Sequence, residues 1–233
     1  GGSNGGGVLG YENSSRTHNI TFTRNHNLTN IVGSGSHVSG ILGKMNATQF
    51  GNVTISNSEN RGYISISGSS VGGVFGGVQS HGYNLNFTNN RNYGDVSCSS
   101  YCGGLYGQIS NASGKSITLG ASSNFGKITG TGTADGVGGI LGWGRIVANS
   151  TTFSVTDNTN QGTIIGGTGS NYGAGGVIGS INSVTNAAAD FTITGNTNSG
   201  TVISSGTAGG GGVVGMLSSI GSNVLNFNVG TSA

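Results

Sequence analysis

The chain has 233 residues, of which 50 are glycine, none is proline and only 6% are charged. The formal net charge is +2, with no basic stripe and no run of about 20 apolar residues, which disfavours nucleic-acid binding and a membrane span. Two classes remain: low-complexity disorder, or a repeat fold with glycine at fixed turns. Because the 33% hydrophobic residues recur in register, we favour the repeat fold.

The first repeated element is a Gly-Gly-apolar-apolar-Gly block, as in 72–76 (Gly-Gly-Val-Phe-Gly) and 138–142 (Gly-Gly-Ile-Leu-Gly). The copies recur every 31 to 37 residues, which is typical of a solenoid. The seven copies begin at Gly6, Ser39 (in place of the first glycine), Gly72, Gly103, Gly138, Gly175 and Gly211.

The second element is an alternating segment about twelve residues after each block. Apolar residues two apart, separated by Thr, Ser or Asn, predict a half-buried strand. The apolar pairs are Ile20/Phe22, Val53/Ile55, Leu85/Phe87, Ile117/Leu119, Phe153/Val155, Phe191/Ile193 and Leu225/Phe227.

The third element is an asparagine followed four residues later by Ile or Val, which opens another short strand. We interpret this asparagine as a turn residue that hydrogen-bonds the asparagine one coil away, forming a ladder. The alternative, a solvated turn residue, stays open. The six asparagines are Asn27, Asn60, Asn92, Asn124, Asn160 and Asn198.

Together these elements predict an all-β fold, a right-handed parallel β-solenoid (β-helix) of about seven three-strand coils of 31–37 residues. Residues 1–233 form a single domain without evident caps. Coils stacked ~4.8 Å apart give a rise of roughly 34 Å.

The Gly-Gly-Ile-Leu-Gly block, with the preceding Asn-x-Gly-x-apolar segment of 60–64, resembles the GLUG-type glycine-rich repeat. The resemblance covers nearly the whole chain, although these periods are somewhat longer than those of the family. It implies a β-solenoid of the kind found in large secreted and surface proteins, including adhesins.

Asn-x-Ser/Thr sequons predict an extracellular or cell-surface glycoprotein that carries N-linked glycans. Those in predicted loops are the better acceptors, whereas Asn27 also belongs to the ladder and would have to point outward to carry a glycan. The eight sequons are at Asn13, Asn19, Asn27, Asn46, Asn52, Asn86, Asn111 and Asn149.

The two cysteines, Cys98 and Cys102, lie where the connection from the short strand to the next glycine block is shortest. A disulfide here fits an oxidising compartment. Buried free thiols are the alternative, and the region lacks the further ligands of a zinc site.

Acidic residues and histidines form no recurring column, so we expect no catalytic residue, no metal site, no cofactor and no enzymatic activity. The carboxylates are Glu12, Glu59, Asp95, Asp135, Asp157 and Asp190, and the histidines are His18, His26, His37 and His81.

These observations predict a structural protein that self-associates head to tail into a filament or stalk. The main alternative is a surface adhesin or carbohydrate-binding module with Tyr83, Tyr101, Trp143 and Tyr172 as stacking platforms. Because Trp143 directly follows a glycine block, its packing at a corner of the coil stays open as well. Ice binding is a lesser alternative. It would use Thr21/Thr23, Thr54/Ser56, Ser154/Thr156 and Thr192/Thr194, a row interrupted at Asn86/Thr88, Thr118/Gly120 and Asn226/Asn228.

Overall fold

In the computed structural model, the chain winds as an all-β parallel solenoid, which confirms the predicted fold class. The structure describes residues 4–13, 19–46, 51–81, 83–111, 115–132, 136–146, 151–168, 173–183, 189–205, 209–219 and 225–230. Within these ranges there is no helix, and therefore none that could cross a membrane.

Each coil passes through five parallel sheets, numbered here in the order in which the chain visits them. Sheet 1 contains β1 (Gly5–Gly6), β6 (Val38–Ser39), β11 (Ser69–Gly72), β16 (Ser100–Gly103), β21 (Val137–Gly138), β26 (Ala174–Gly175) and β31 (Gly210–Gly211). Sheet 2 contains β2 (Leu9–Glu12), β7 (Leu42–Met45), β12 (Phe75–His81), β17 (Tyr106–Asn111), β22 (Leu141–Ile146), β27 (Ile178–Ser183) and β32 (Val214–Ser219).

The remaining three sheets complete the coil. Sheet 3 contains β3 (Ile20–Thr23), β8 (Gly51–Ser56), β13 (Tyr83–Thr88), β18 (Ser116–Gly120), β23 (Thr151–Thr156), β28 (Ala189–Thr194) and β33 (Leu225–Gly230). Sheet 4 contains β4 (His26–Asn27), β9 (Glu59–Asn60), β14 (Arg91–Asn92), β19 (Ser123–Asn124), β24 (Thr159–Asn160) and β29 (Thr197–Asn198). Sheet 5 contains β5 (Ile31–Gly33), β10 (Ile64–Ile66), β15 (Val96–Cys98), β20 (Ile128–Gly130), β25 (Ile164–Ile165) and β30 (Val202–Ile203).

The described chain therefore makes six complete coils and a seventh that is described through its third strand. Each complete coil has five strands and not the predicted three. The glycine block spans the end of sheet 1 and the start of sheet 2, as at Gly72 and Phe75. The asparagine lies in a two-residue strand of its own because its backbone pairs with the same residue in the neighbouring coils, as for Asn60 and Asn92.

Two separate apolar cores run along the solenoid. Sheet 3 and sheet 2 enclose the larger core, in which Phe87 packs 5.2 Å from Phe75 and 5.3 Å from Tyr106 between ring centroids. The predicted alternation holds on sheet 3, since Val53 and Ile55 are fully buried while Thr54 between them is not. Sheets 5 and 1 enclose the smaller core, with members such as Ile64 and Val71.

Candidate functional site

A column of six asparagines, one from each strand of sheet 4, runs along the interior of the solenoid. In all five steps the Nδ2 of one asparagine donates a hydrogen bond to the Oδ1 of the asparagine in the next coil, over 2.7–2.8 Å. Asn60, Asn92, Asn124 and Asn160 are completely buried. The structure therefore brings together all six residues of the ladder inferred from the sequence, although in a strand and not in a turn.

The second N–H of each side-chain amide stays within its own coil. Asn60 Nδ2 donates to the backbone oxygen of Gly62 over 2.8 Å, and Asn92 Nδ2 donates to that of Gly94 over 2.7 Å. An interior asparagine thus uses both amide hydrogens and its oxygen. This arrangement explains the repeated Asn-x-Gly, because a Cβ on Gly94 would approach Asn60 Nδ2 to 3.0 Å and collide with the backbone of Gly62.

The glycine block faces the ladder. A Cβ on Gly40 would lie 2.6 Å from Asn60 Oδ1, and a Cβ on Gly104 would lie 2.5 Å from Asn124 Cγ, both far inside van der Waals contact. The second glycine of the block therefore lets two walls of the coil approach each other at the ladder. The Gly-Gly and Asn-x-Gly motifs therefore recur together, because each supplies one of the two walls that meet at the ladder.

A second polar column lies two residues before the ladder, and sequence reasoning missed it. Ser58 N donates to Asn90 Oδ1 over 2.9 Å, and Asn90 N in turn donates to Ser122 Oγ over 3.1 Å. The same pattern continues through Asn158 and Asn196. The available signal was the recurrence of Asn or Ser at this position in every coil.

One aromatic residue of the large core is tied to this second column. Asn90 Nδ2 donates to Ile55 O over 2.8 Å and to Tyr106 Oη over 3.1 Å. Burial raises the pKa of Tyr106 to about 12. The phenol is therefore neutral at physiological pH and serves as a hydrogen-bonding group within the core.

The sequon at Asn27 is incompatible with the fold as observed. Asn27 is 4% exposed, and its Nδ2, the atom to which a glycan would be attached, donates to Thr29 O and to Asn60 Oδ1. A glycan would have to replace one of these bonds within the interior. We therefore correct the expectation for Asn27 and treat it as a ladder residue alone.

The Asn and the Thr of a sequon are two residues apart and so share one face of a strand. In sheet 3 this is the outward face, because the residue between them, such as Val53 or Phe87, is fully buried. Asn52 and Asn86 are exposed there, and Asn19, immediately before β3, is exposed too. Asn52 Nδ2 donates to Asn19 Oδ1 over 3.0 Å, so these two acceptors are direct neighbours.

The other sequons cluster beside the same sheet. Asn13 and Asn46 are exposed just after strands of sheet 2, and Asn111 ends β17 of that sheet. Asn149 lies outside the described residues, between β22 and β23. Apart from Asn27, every sequon within the described residues thus falls between the end of sheet 2 and the end of sheet 3, on one side of the rod.

The predicted disulfide joins Cys98 and Cys102, with Cα atoms 5.8 Å apart. Both residues are fully buried in the smaller core. Cys102 lies in register with Val71 and Val137 of the neighbouring coils, so the bridge takes the place of an apolar pair. Only Ser99 separates the two strands that it connects.

The acidic residues, histidines and cysteines do not gather into a metal-binding cluster among the described residues. The described residues contain no group of three or more His, Cys, Asp or Glu that could hold a metal ion. The described carboxylates lie in different coils: Glu59 pairs with Arg61, and Asp95 Oδ1 accepts a hydrogen bond from Lys127 N over 2.8 Å. Asp135 and His18 lie outside the described residues.

Of the aromatic residues considered as stacking platforms, Trp143 is buried and Tyr101 is partly buried. Trp143 is 6% exposed and stacks on Tyr101 with ring centroids 4.7 Å apart. Tyr172 lies outside the described residues, and of Tyr83 only the backbone is described. Of the two roles left open for Trp143, the structure favours packing, at the junction between sheets 1 and 2.

Other aromatic residues are exposed where the chain passes from sheet 4 to sheet 5. Tyr93 and Phe125 follow successive ladder asparagines and stack with ring centroids 4.7 Å apart, while the guanidinium of Arg61 lies 5.3 Å from the Tyr93 ring. Tyr63, two residues after Arg61, is 45% exposed. Their position on either side of the glycine in Asn-x-Gly was the signal that sequence reasoning overlooked.

The threonine row considered for ice binding lies on sheet 3 in register. Thr21 aligns with Thr54, and Ser154 aligns with Thr192. The row is broken at Asn86 and Gly120, and the sequon residues Asn19, Asn52 and Asn86 share its side of the sheet. Glycans there would cover the hydroxyl groups.

The fold and the ladder define a parallel β-solenoid with internal polar columns. Comparison of the chain with protein-family models, with curated proteins and with solved structures found no match. The resemblance to GLUG-type repeats accordingly stays a prediction.

Proposed function

We propose that this chain is a non-enzymatic structural protein of the extracellular space, a glycosylated solenoid that forms a protomer or segment of a head-to-tail filament or stalk. The observation that carries the proposal is the asparagine ladder, which continues from coil to coil without a break from Asn27 to Asn198.

Mechanical continuity follows from the bonding between coils. Separating two interior coils requires breaking the backbone pairing of five sheets together with one bond of the ladder and one of the second polar column. Hydrogen bonds that must break at the same time share an axial load, so the rod resists stretching more than any single strand pair would. A stalk or filament needs this property.

Two features support an extracellular location. The disulfide between Cys98 and Cys102 fits an oxidising compartment, because thiols in the cytosol are kept reduced. Seven sequons outside the ladder give sites for N-linked glycans, and those within the described residues lie on one side of the rod.

Head-to-tail assembly makes a specific demand on the first coil. Val8 occupies the position that Ile41 and Val74 fill in the next coils, yet Val8 is 47% exposed whereas Ile41 and Val74 are fully buried. Stacking the final coil of another copy on the first would bury Val8 and continue the parallel pairing across the junction.

Electron microscopy of natively purified, glycosylated chain tests the assembly. We expect uniform fibres with an axial repeat of roughly 34 Å, the rise of seven coils at about 4.8 Å each. Val8→Asp should shorten the fibres to single rods, because it would place a charge inside the junction. Val32→Asp is the control, since Val32 is 68% exposed on sheet 5 of the same coil and lies in register with Ser65 on the outward face of that sheet.

Separate rods in the unsubstituted protein at all concentrations, or equal effects of the two substitutions, would contradict head-to-tail assembly. A surface adhesin is the second candidate, and the observation that favours it is a groove on sheet 5, described below. Ice binding is not proposed, because three sequons lie on the face that it would need.

A further inference from the structure

The sequon-free side of the rod carries a shallow groove. Its floor is the outward face of sheet 5, where Ser65, Ser97 and Thr129 lie in register in three successive coils. One wall consists of the residues that precede these strands, Tyr63, Asp95 and Lys127. The groove runs along the solenoid axis and spans about 10 Å, two coil steps of about 4.8 Å.

The chemistry of the groove is that of a surface for a polyhydroxylated ligand. Three hydroxyl groups on the floor both donate and accept hydrogen bonds, a carboxylate accepts and an ammonium group donates. Tyr63 is 45% exposed and offers an amphipathic ring at one end of the wall. A few polar groups around an aromatic ring are the features that orient a small ligand in a protein site.

The charge balance favours a neutral ligand. Asp95 and Lys127 are adjacent on the wall, and Asp95 Oδ1 already accepts the backbone N–H of Lys127. Next to the groove, Arg61 pairs with Glu59. The groove itself thus presents one charge of each sign, Asp95 and Lys127, so a ligand with a net charge would gain little over an uncharged ligand.

We propose that this groove binds a neutral oligosaccharide that lies along the solenoid axis. The site goes beyond the structural role proposed above, although it would make the rod an adhesive element as well. If the sequons are occupied, the chain's own glycans stay on the far side, because no sequon borders sheet 5 except the buried Asn27.

Calorimetric titration of the full, enzymatically deglycosylated chain with cellohexaose, chitohexaose, laminarihexaose and an oligogalacturonate tests the proposal. We expect at least one neutral hexasaccharide to bind, and to bind more tightly than the oligogalacturonate. Tyr63→Ala should weaken that binding about tenfold or more, as expected for loss of an aromatic anchor. Ser97→Lys should abolish it by filling the floor with a long side chain.

Two matched controls separate the groove from a general surface effect. Tyr11→Ala removes a tyrosine of nearly equal exposure, 40%, from sheet 2, and Thr54→Lys places the same lysine on the outward face of sheet 3. Both should leave the affinity unchanged. Binding of no neutral hexasaccharide, equal losses in the controls, or tighter binding of the oligogalacturonate would each overturn the proposal. Fibre formation is read independently by microscopy, so failure of one proposal leaves the other intact.

Discussion

At the scale of single residues, the buried ladder asparagine is the side chain on which the interior of each coil depends. Asn92 accepts from Asn60 and donates to Asn124 and to Gly94 O. Removing it leaves the buried amide groups of the ladder neighbours on both sides without a hydrogen-bond partner, and each unsatisfied polar group costs about 1–3 kcal/mol.

Asn92→Ala should therefore lower the free energy of unfolding by about 2–4 kcal/mol. Asn84→Ala is the matched control, because Asn84 lies in the same coil and also bonds to both neighbouring coils, but at the surface. We expect the control to cost less than about 1 kcal/mol, since water replaces its partners. Urea denaturation followed by circular dichroism measures both, and equal losses would show that the buried ladder contributes no more than a surface one.

A buried histidine gives the chain a pH-dependent stability. His37 is 7% exposed, its Nε2 has no hydrogen-bond partner among the described residues, and burial, together with the charge of Lys44, lowers its pKa to about 4. In the unfolded chain the pKa is about 6.5, so only the unfolded state takes up a proton between these values. The stabilisation is complete above about pH 6.5 and is lost as the pH falls towards about 4.

His37→Ser tests this assignment, because Ser70 occupies the same position one coil later. The unsubstituted chain should lose on the order of 1–3 kcal/mol more than the variant when the pH is lowered through this window. Urea midpoints at a series of pH values give the difference. Parallel pH profiles for the two chains would show that His37 does not carry the effect.

At the scale of the structural elements, the glycine block and the ladder strand form one unit. The second glycine has no room for a side chain because the ladder amide lies directly opposite, as for Gly104 and Asn124. The unit repeats in every complete coil, so a single substitution tests a feature of the whole repeat.

Gly104→Ala should destabilise the chain by about 3 kcal/mol or more, since the new methyl group would overlap backbone and amide atoms. Gly120→Ala is the control within sheet 3: its Cβ would meet nothing closer than Thr156 Oγ1 at 3.4 Å. Alanine there should be neutral or slightly stabilising, because glycine in a strand carries an entropic cost of about 0.5–1 kcal/mol. Thermal unfolding of both variants distinguishes these outcomes, and similar melting temperatures would argue against a close contact at the ladder.

At the scale of the whole molecule, the solenoid has a sequon-bearing side and a bare side. Apart from Asn27, the sequons within the described residues lie at the end of sheet 2, in sheet 3 or in the connection between them, whereas the sheet 5 groove has none. Glycans arranged in this way would keep one side of neighbouring rods apart and leave the other side free for contacts.

If the chain is produced through a secretory pathway, glycopeptide mapping should find glycans at sequons on the first side and none at Asn27. The physical reason is that Asn27 Nδ2 is enclosed and already bonded twice. Asn19 and Asn52 should seldom be occupied in the same molecule, because their side chains touch. A fully occupied Asn27 in folded material would show that the first rung of the ladder is dispensable.

Much of this architecture could be predicted from the sequence, because each coil of a solenoid needs the same residue types at the same positions. Alternation at Val53 and Ile55 predicted the strand of sheet 3, and the spacing of Asn60 and Asn92 predicted that stacked asparagines would meet. Both follow because each residue type recurs once per coil, at the same place relative to the other repeated elements, even though the loop lengths vary. The disulfide between Cys98 and Cys102 was likewise predictable, because the short connection leaves the two residues close together.

Features that depend on packing between coils required the tertiary structure. The spacing of Trp143 after its glycine block does not reveal that it stacks on Tyr101 of the preceding coil, and the repeat of Ser58 and Asn90 does not reveal which backbone N–H each will accept. The exposed row of Tyr63, Asp95 and Lys127 is also a product of coil stacking. Sequence periodicity determined which residues recur, whereas the lateral register and the closeness of the walls decided which of them are buried, bonded or left open to a ligand.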